Sequence, residues 1–409
     1  MSKRKVTKKD DSESNSKQAK LDFDAKPKGT WMTIGNDDLY IYTPNEVVHR
    51  SKVAGFDIDG TIIKTKSGRT FAKDENDWEL LFPEIPAKMR QLHEDDYKIV
   101  FFTNQAGISK GKTPLPAFKR KVEAICSKLP VPIQVFVSPG TLKYRKPYVG
   151  MWEHMETEGN GGVPVDRSQS VYVGDAGGRA ANGARKKDFS CGDRMFALNL
   201  EVKFATPEEF FLNKPAEPFT RPVFDSRKLL DTPSELFDPA TTVMPSTKQE
   251  VVVMVGFPGS GKSTWAERYL SKGYVVVNRD TLKTWQKCVE AAKKALKEGK
   301  SVIVDNTNPD KESRKRYVDM AKESKVDCRC FVMTCDYDQA LHHVKFRNIM
   351  GTDKEHKDVN EMVLRMHKSK VQEPTLAEGF SEIVKVNFVP DFKAGSDAQK
   401  IFRMVLVEK

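Results

Sequence analysis

The sequence predicts an α/β protein of two domains, each a mostly parallel sheet flanked by helices. Three observations carry the prediction. Short apolar runs alternate with helical stretches, the pattern left by strand–helix–strand crossovers. Two such series exist, one starting near Val53 and one near Val251. Between them Pro215, Pro218, Pro222, Pro233, Pro239 and Pro245 interrupt every candidate element, which is the composition of an interdomain linker. The expected organisation is a basic tail over 1–25, a first domain over 26–213, a linker over 214–249 and a second domain over 250–409.

Residues 1–25 are charged, serine-rich and almost free of large apolar side chains. They bury too little to offset their ordering entropy, so disorder is expected. Lys3, Arg4, Lys5, Lys8 and Lys9 read equally as a nuclear-import signal, a nonspecific nucleic-acid arm or a solvated tail. Strands are expected at Val53–Phe56, Ile99–Phe102, Val135–Val137 and Val171–Val173, each an apolar run bounded by polar or turn residues. The second series places strands at Val251–Val255, Tyr274–Val277, Ser301–Val304 and Arg329–Met333, with a helix over Leu282–Lys297.

At 409 residues the chain is long enough for two separate cores. No apolar run approaches the roughly 20 residues that span a bilayer, and the polar N-terminus lacks an apolar signal segment. A soluble intracellular chain is expected, with its six cysteines reduced. Their spacing lacks the paired CxxC of a zinc site. A net charge of +11 and a pI near 9.1 favour a polyanionic partner.

Chemistry concentrates at strand ends, where open α/β sheets place their sites. Phe56-Asp57-Ile58-Asp59-Gly60-Thr61 brings two carboxylates out of a buried strand. Asp57 is placed to attack phosphorus, and Asp59, two residues on, to protonate the departing oxygen and then activate water. Paired acids call for a counter-charge, and Mg²⁺ with oxygen ligands supplies it. Thr103, Asn104 and Gln105 follow the next strand, where a hydroxyl and backbone N–H groups can hold a phosphate oxygen. Lys146 and Asp175 complete the set. This order resembles the haloacid dehalogenase-type phosphatases. The resemblance implies Asp57 as nucleophile, Asp59 as acid and base, and Thr103 and Lys146 as phosphate ligands. It also implies Mg²⁺ held by Asp57, Asp175 and the Asp59 carbonyl. Arg145 is the alternative to Lys146; Asp188 and Asp193 read as structural or as supports for the residues that touch the phosphate.

Gly256-Phe257-Pro258-Gly259-Ser260-Gly261-Lys262-Ser263, followed by Thr264, sits between an apolar strand and a helix. That is the context of a P-loop, whose backbone N–H groups cradle phosphates. Lys262 is expected at the β- and γ-phosphates of ATP and Ser263 at Mg²⁺. Asp280 is a candidate base for an acceptor hydroxyl, or else a helix N-cap. Arg279 is a candidate grip on the acceptor's phosphate, and Asn306 lines the same cleft. Arg347, in the basic stretch His342–Arg347, is the candidate for charge on the moving phosphoryl group.

Together these segments, with YRKP, VGDAGGR, KKDFSCGDR, FATPEEFF, VNRDTL, VIVDNTNP and EPTLAEGF, resemble the polynucleotide kinase 3′-phosphatase family over residues 28–409. The resemblance implies a DNA-repair enzyme with two activities on DNA ends. The first domain removes 3′-phosphates and the second phosphorylates 5′-hydroxyls with ATP. It also implies a nuclear monomer, with repair scaffolds as candidate partners. Vertebrate members carry an N-terminal forkhead-associated domain, for which the residues before Lys52 are too few. The basic Lys110, Lys112, Arg145, Arg179, Arg185, Lys186 and Lys187 are candidate backbone contacts.

Overall fold

The computed structural model describes residues 28–183, 185–232, 234–351 and 359–408. The expected disordered tail lies outside them. The chain enters through a hairpin, β1 (Gly29–Ile34) and β2 (Leu39–Pro44), and then lays down β3 (Lys52–Phe56). A two-residue hairpin, β4 (Ile63–Lys64) with β5 (Glu79–Leu80), follows the first acidic motif. The sheet continues through β6 (Tyr97–Asn104), β7 (Ile133–Ser138), β8 (Val171–Val173) and β9 (Lys203–Ala205). Its order is β1-β2-β7-β6-β3-β8-β9. The five strands from β7 to β9 run parallel, and the β1–β2 hairpin joins antiparallel at β7.

Burial on both faces explains the near-continuous apolar runs. Phe56, Phe101 and Val135 pack under one helical layer, and Val53, Phe102 and Phe136 under the other, with Trp152 stacked on Phe102. Strand β3 therefore lies in the interior of the sheet, so the residues beyond Phe56 emerge between two neighbouring strand ends.

The second sheet contains β10 (Phe237–Asp238), β11 (Glu250–Val255), β12 (Tyr274–Val277), β13 (Ser301–Val304), β14 (Asp327–Met333) and β15 (Glu382–Val386). Its order is β10-β15-β14-β11-β13-β12, parallel except for β10 against β15. The stretch read as linker thus contributes an edge strand, as well as a short helix at Ser226–Asp231. The helix expected over Leu282–Lys297 is two helices, Arg279–Leu282 and Trp285–Lys297. Lys283 takes a positive φ of 70°, and the Thr284 side chain accepts the Lys287 N–H as the N-cap of the longer helix.

Residues 404–408 join the two halves. Val405 and Asn199 exchange hydrogen bonds of 2.8 and 3.0 Å, the Cys191 N–H donates to the Glu408 carbonyl at 3.0 Å, and Lys345 Nζ donates to the Leu406 carbonyl at 2.7 Å. Five cysteines are buried, Cys126 is half-buried, and all six are free thiols. Among the described residues, no helix is long and apolar enough to cross a membrane.

Candidate active sites

The first site forms at the carboxyl ends of β3, β6 and β8. The Asp57 N–H donates to the Val173 carbonyl at 2.9 Å, which fixes Asp57 as a continuation of the ladder between β3 and β8. Gly60 then turns the chain with φ of 78°; a Cβ there would lie 2.5 Å from the Asp175 carboxylate. Only glycine fits both demands. The Thr61 hydroxyl accepts the Asp175 N–H at 3.1 Å, tying the two strand ends together.

Lys146 Nζ is the electrostatic centre. It donates to Asp57 Oδ1 at 2.7 Å, to Asp193 Oδ1 at 2.7 Å and to the Tyr172 hydroxyl at 2.8 Å, all buried. Burial works against the Lys146 ammonium, but the Asp193 and Asp57 carboxylates outweigh it and hold its pKa above the ordinary value. Burial pushes the Asp57 carboxyl up; Lys146 opposes the shift and Asp193 adds to it. Asp175 is raised well above the usual carboxylate range by burial, reinforced by Asp193 and Asp57.

Carboxylate oxygens of Asp57, Asp175 and Asp193 lie within 4.8 Å of one another. Three acids against one buried ammonium leave surplus negative charge, and an all-oxygen donor set fits a hard divalent cation such as Mg²⁺. Asp193 is the least free to serve, since Lys146 occupies one oxygen and the Ala176 N–H donates to the other at 3.0 Å. Asp57 and Asp175 are the better ligands. Asp193, expected from the sequence to support the site and not to react, does so as the second anchor of Lys146, delivered by the start of the helix Gly192–Leu200.

Several expectations are corrected around this centre. Arg145 is not an alternative to Lys146: it pairs with Glu408 at 3.6 Å. The Asn104 side chain brackets the Lys146 backbone, donating to its carbonyl at 3.1 Å and accepting its N–H at 3.0 Å, so it braces the lysine loop. Gln105 Nε2 donates to Asp59 Oδ2 at 2.7 Å and to Thr103 Oγ1 at 2.9 Å. Thr103 is buried at the end of β6. Arg179 is buried against Asp188 and Glu208, and Arg185 pairs with Asp188 and Glu217, so neither offers a free backbone contact. Lys110, Lys112, Lys186 and Lys187 are exposed.

The second site forms at the ends of β11 and β13. After Val255 the loop runs through Gly256, Gly259, Ser260 and Gly261 into a helix, Lys262–Glu267, that carries Ser263 and Thr264. Gly261, with φ of 90°, is the left-handed step at which the helix begins. Lys262 Nζ donates to the Gly256 and Phe257 carbonyls at 3.1 and 2.8 Å. Burial pushes its pKa down to about 8, opposed by the charges of Asp305 and Asp280. The helix Tyr337–Met350, which carries Arg347, packs on this loop: a Cβ on Gly259 would meet the Val344 side chain at 2.9 Å. His342 and His343 of this helix are buried, and His343 Nδ1 meets the Gly259 carbonyl at 3.0 Å.

Asn278, not Asp280, caps the helix after β12, accepting the Thr281 N–H at 2.9 Å. That leaves the Asp280 carboxylate without the capping role weighed for it. Asn306 accepts the Arg279 N–H at 2.8 Å and donates to the Tyr317 hydroxyl at 3.2 Å, holding Arg279 beside the cleft. Asp305, buried at the end of β13, lies within electrostatic reach of Lys262. Its place after an apolar strand was legible, but its approach to Lys262, 43 residues away in the chain, was not.

The fold and sites define a chain with a phosphatase half and a nucleotide-binding kinase half. Residues 52–211 match the family described as Polynucleotide kinase 3 phosphatase, and residues 251–374 match an AAA domain. The bifunctional polynucleotide phosphatase/kinase of Schizosaccharomyces pombe is 39% identical over 358 residues, covering 86% of this chain and 83% of the relative. The polynucleotide 3′-phosphatase ZDP of Arabidopsis thaliana is 37% identical over 41% of this chain and 25% of its own length. The polynucleotide 3′-phosphatase of Saccharomyces cerevisiae is 29% identical over 40% of this chain and 88% of its own length. The chain belongs to the bifunctional polynucleotide phosphatase/kinase family, and so joins a polynucleotide 3′-phosphatase to a polynucleotide 5′-hydroxyl kinase.

Proposed function

We propose that this enzyme repairs broken DNA, converting 3′-phosphate and 5′-hydroxyl ends into the 3′-hydroxyl and 5′-phosphate that a ligase joins. The observation that carries the phosphatase half is the buried Asp57–Lys146–Asp193 chain of charges at the end of a central parallel strand.

In the phosphatase half, Asp57 attacks the 3′-phosphate phosphorus while the bond from phosphorus to the 3′-oxygen breaks. Asp59 gives its proton to that oxygen, leaving an aspartyl-phosphate and a free 3′-hydroxyl. Asp59, now a carboxylate, takes a proton from water as the water oxygen attacks phosphorus. The phosphorus–Asp57 bond breaks, and inorganic phosphate leaves. Lys146 and Thr103 hold the non-bridging phosphate oxygens, and Asp193 and Tyr172 hold Lys146. Asp57 and Asp175 would hold Mg²⁺, which would neutralise charge on the phosphoryl oxygens.

In the kinase half, the loop 256–261 and Lys262 seat the ATP phosphates, and Ser263 with Asp305 is placed to hold its Mg²⁺. Asp280 takes the proton of the 5′-hydroxyl as that oxygen attacks the γ-phosphorus and the bridging bond to ADP breaks. Arg279 grips the acceptor strand, and Arg347 counters the charge of the moving phosphoryl group.

A polynucleotide is favoured over a small phosphate ester by the exposed aromatics. Phe71 (84% exposed) lies in the loop between β4 and β5 among Lys66, Arg69 and Lys73, and Phe189 (86% exposed) follows Lys186 and Lys187. Exposed rings beside cations suit stacked bases and their backbone. The test is hydrolysis of a 3′-phosphorylated DNA oligonucleotide against a 3′-mononucleotide and a 3′-phosphorylated RNA. Preference for the DNA supports the reading, and preference for the mononucleotide overturns it. The basic run Lys3–Lys9 supports nuclear import, and a reporter carrying it that stays cytoplasmic would contradict that assignment.

A further inference from the structure

Asp59 has both carboxylate oxygens held before any substrate is bound. Lys121 Nζ donates to Oδ1 at 3.0 Å and Gln105 Nε2 donates to Oδ2 at 2.7 Å. The two donors come from different elements, Gln105 from the end of β6 and Lys121 from the helix Leu115–Lys128. Lys121 occupies an unusual position on that helix. The buried stripe is Phe118, Lys121, Val122 and Ile125, the spacing of a core-facing helix side. An apolar residue is the ordinary occupant of such a stripe, because a buried ammonium is costly unless it is paired. Its two basic neighbours are engaged elsewhere: Arg120 pairs with Glu75, and Lys119 lies over the Trp31 and Tyr40 rings. Lys121 alone of these three reaches the first site.

The Asp59 side chain is 52% exposed, so pairing at that end is screened by water and adds little to folding. Stability therefore does not account for a lysine in the stripe. Orientation does: acid–base transfer needs the carboxyl within about 2.6–3.2 Å of the reacting oxygen, and a half-exposed aspartate left alone samples several rotamers.

We propose that Lys121 is a positioning residue of the phosphatase, which with Gln105 fixes the Asp59 carboxyl where it meets the 3′-oxygen. The proposal rests on the reading of Asp59 as the acid and base. Lys121 touches neither substrate nor phosphorus; it acts only through Asp59. Its loss is therefore felt most where the leaving oxygen must be protonated. A sugar 3′-oxygen must gain a proton to leave, whereas p-nitrophenolate leaves without one.

The experiment uses the full chain with Lys121→Met, Lys121→Arg and Gln105→Ala, and compares first-turnover leaving-group release from a 3′-phosphorylated oligonucleotide and from p-nitrophenyl phosphate. Kinase activity of each preparation reports that the chain is folded. Gln105→Ala removes the other half of the clamp without altering the buried stripe; because Gln105 also donates to Thr103 Oγ1, it is read on the oligonucleotide alone. The expected result for Lys121→Met and Gln105→Ala is a loss on the oligonucleotide of about 10²-fold, the lower range for general acid catalysis. For Lys121→Met the aryl ester should change little and KM for the oligonucleotide should hold, and Lys121→Arg should recover most of the rate. Equal losses on both substrates, or no loss on either, would overturn the proposal. Asp59→Asn separates the two ideas. If it lacks the same leaving-group selectivity, the acid–base reading itself fails; if it shows selectivity and Lys121→Met does not, only the role of Lys121 fails.

Discussion

Replacing Lys146 by Met tests whether one buried ammonium both holds the phosphatase site together and enables its chemistry. Lys146 Nζ has three buried partners at 2.7, 2.7 and 2.8 Å. Its removal leaves Asp57, Asp175 and Asp193 facing one another within 4.8 Å. Deleting one member of a buried ion pair costs about 3–5 kcal/mol, mostly from the charge left behind. For a domain of this size that is a fall of roughly 6–20 °C in melting temperature, at about 2–4 °C per kcal/mol. Hydrolysis of a 3′-phosphorylated oligonucleotide should fall by at least about 10²-fold, the scale of one lost oxyanion donor. The double variant Lys146→Met with Asp193→Asn removes one of the stranded charges and should regain part of the stability but none of the activity. Thermal melting and the phosphatase assay read the two effects separately, with kinase activity as the check on the other half. A Lys146→Met protein with unchanged melting, or a double variant no more stable than the single, would refute the charge argument.

Two further outcomes follow from the geometry. Gly60→Ala forces a left-handed residue with a Cβ 2.5 Å from the Asp175 carboxylate. Phosphatase activity should drop at least about tenfold, given about 1–2 kcal/mol of backbone cost alone; an active Gly60→Ala enzyme would contradict the strand-end geometry. Burial pushes His342 down to about 3 and His343 down to about 4 from the ordinary 6.5. The unfolded chain therefore binds more protons than the folded one between about pH 6.5 and 4, and stability falls as pH drops through that window. Each histidine should steepen the fall by about 1.4 kcal/mol per pH unit. Urea unfolding of the kinase half at pH 7.5 and pH 5 measures it, and equal midpoints would count against neutral buried rings.

The parts of the sites legible in the sequence were those encoded locally. FDIDGT and GFPGSGKS each join an apolar strand, a glycine turn and their functional groups within a few residues, so strand, turn and chemistry are read together. What escaped was set by distance or disguised by composition. Asp193 reaches Lys146 only through the packing of the helix Gly192–Leu200 against β8, and nothing near Asp193 in sequence points to Lys146. Lys146 and Arg145 are adjacent cations, and only the fold turns one toward Asp57 and the other toward Glu408. Lys121 looks like a polar interruption in an apolar helix stripe until Asp59 is placed beside it. The β1–β2 hairpin was missed because its strands are built on Trp, Tyr and Thr and half of β1 is exposed, and β10 because prolines surround it. The break at Lys283 was marked by Thr284, a capping residue passed over in favour of helical spacing.

The central claim is that two independent sites in one chain finish the two sides of a single break. The direct measurement uses a nicked DNA duplex bearing a 3′-phosphate and a 5′-hydroxyl, incubated with ATP and Mg²⁺ and then with a ligase. The unaltered chain should make the nick ligatable. Asp57→Asn should leave both termini phosphorylated, Lys262→Ala should leave both as hydroxyls, and a mixture of the two variants should restore ligation. Loss of both activities from either single change, or a mixture that fails although each variant keeps its own activity, would contradict the account.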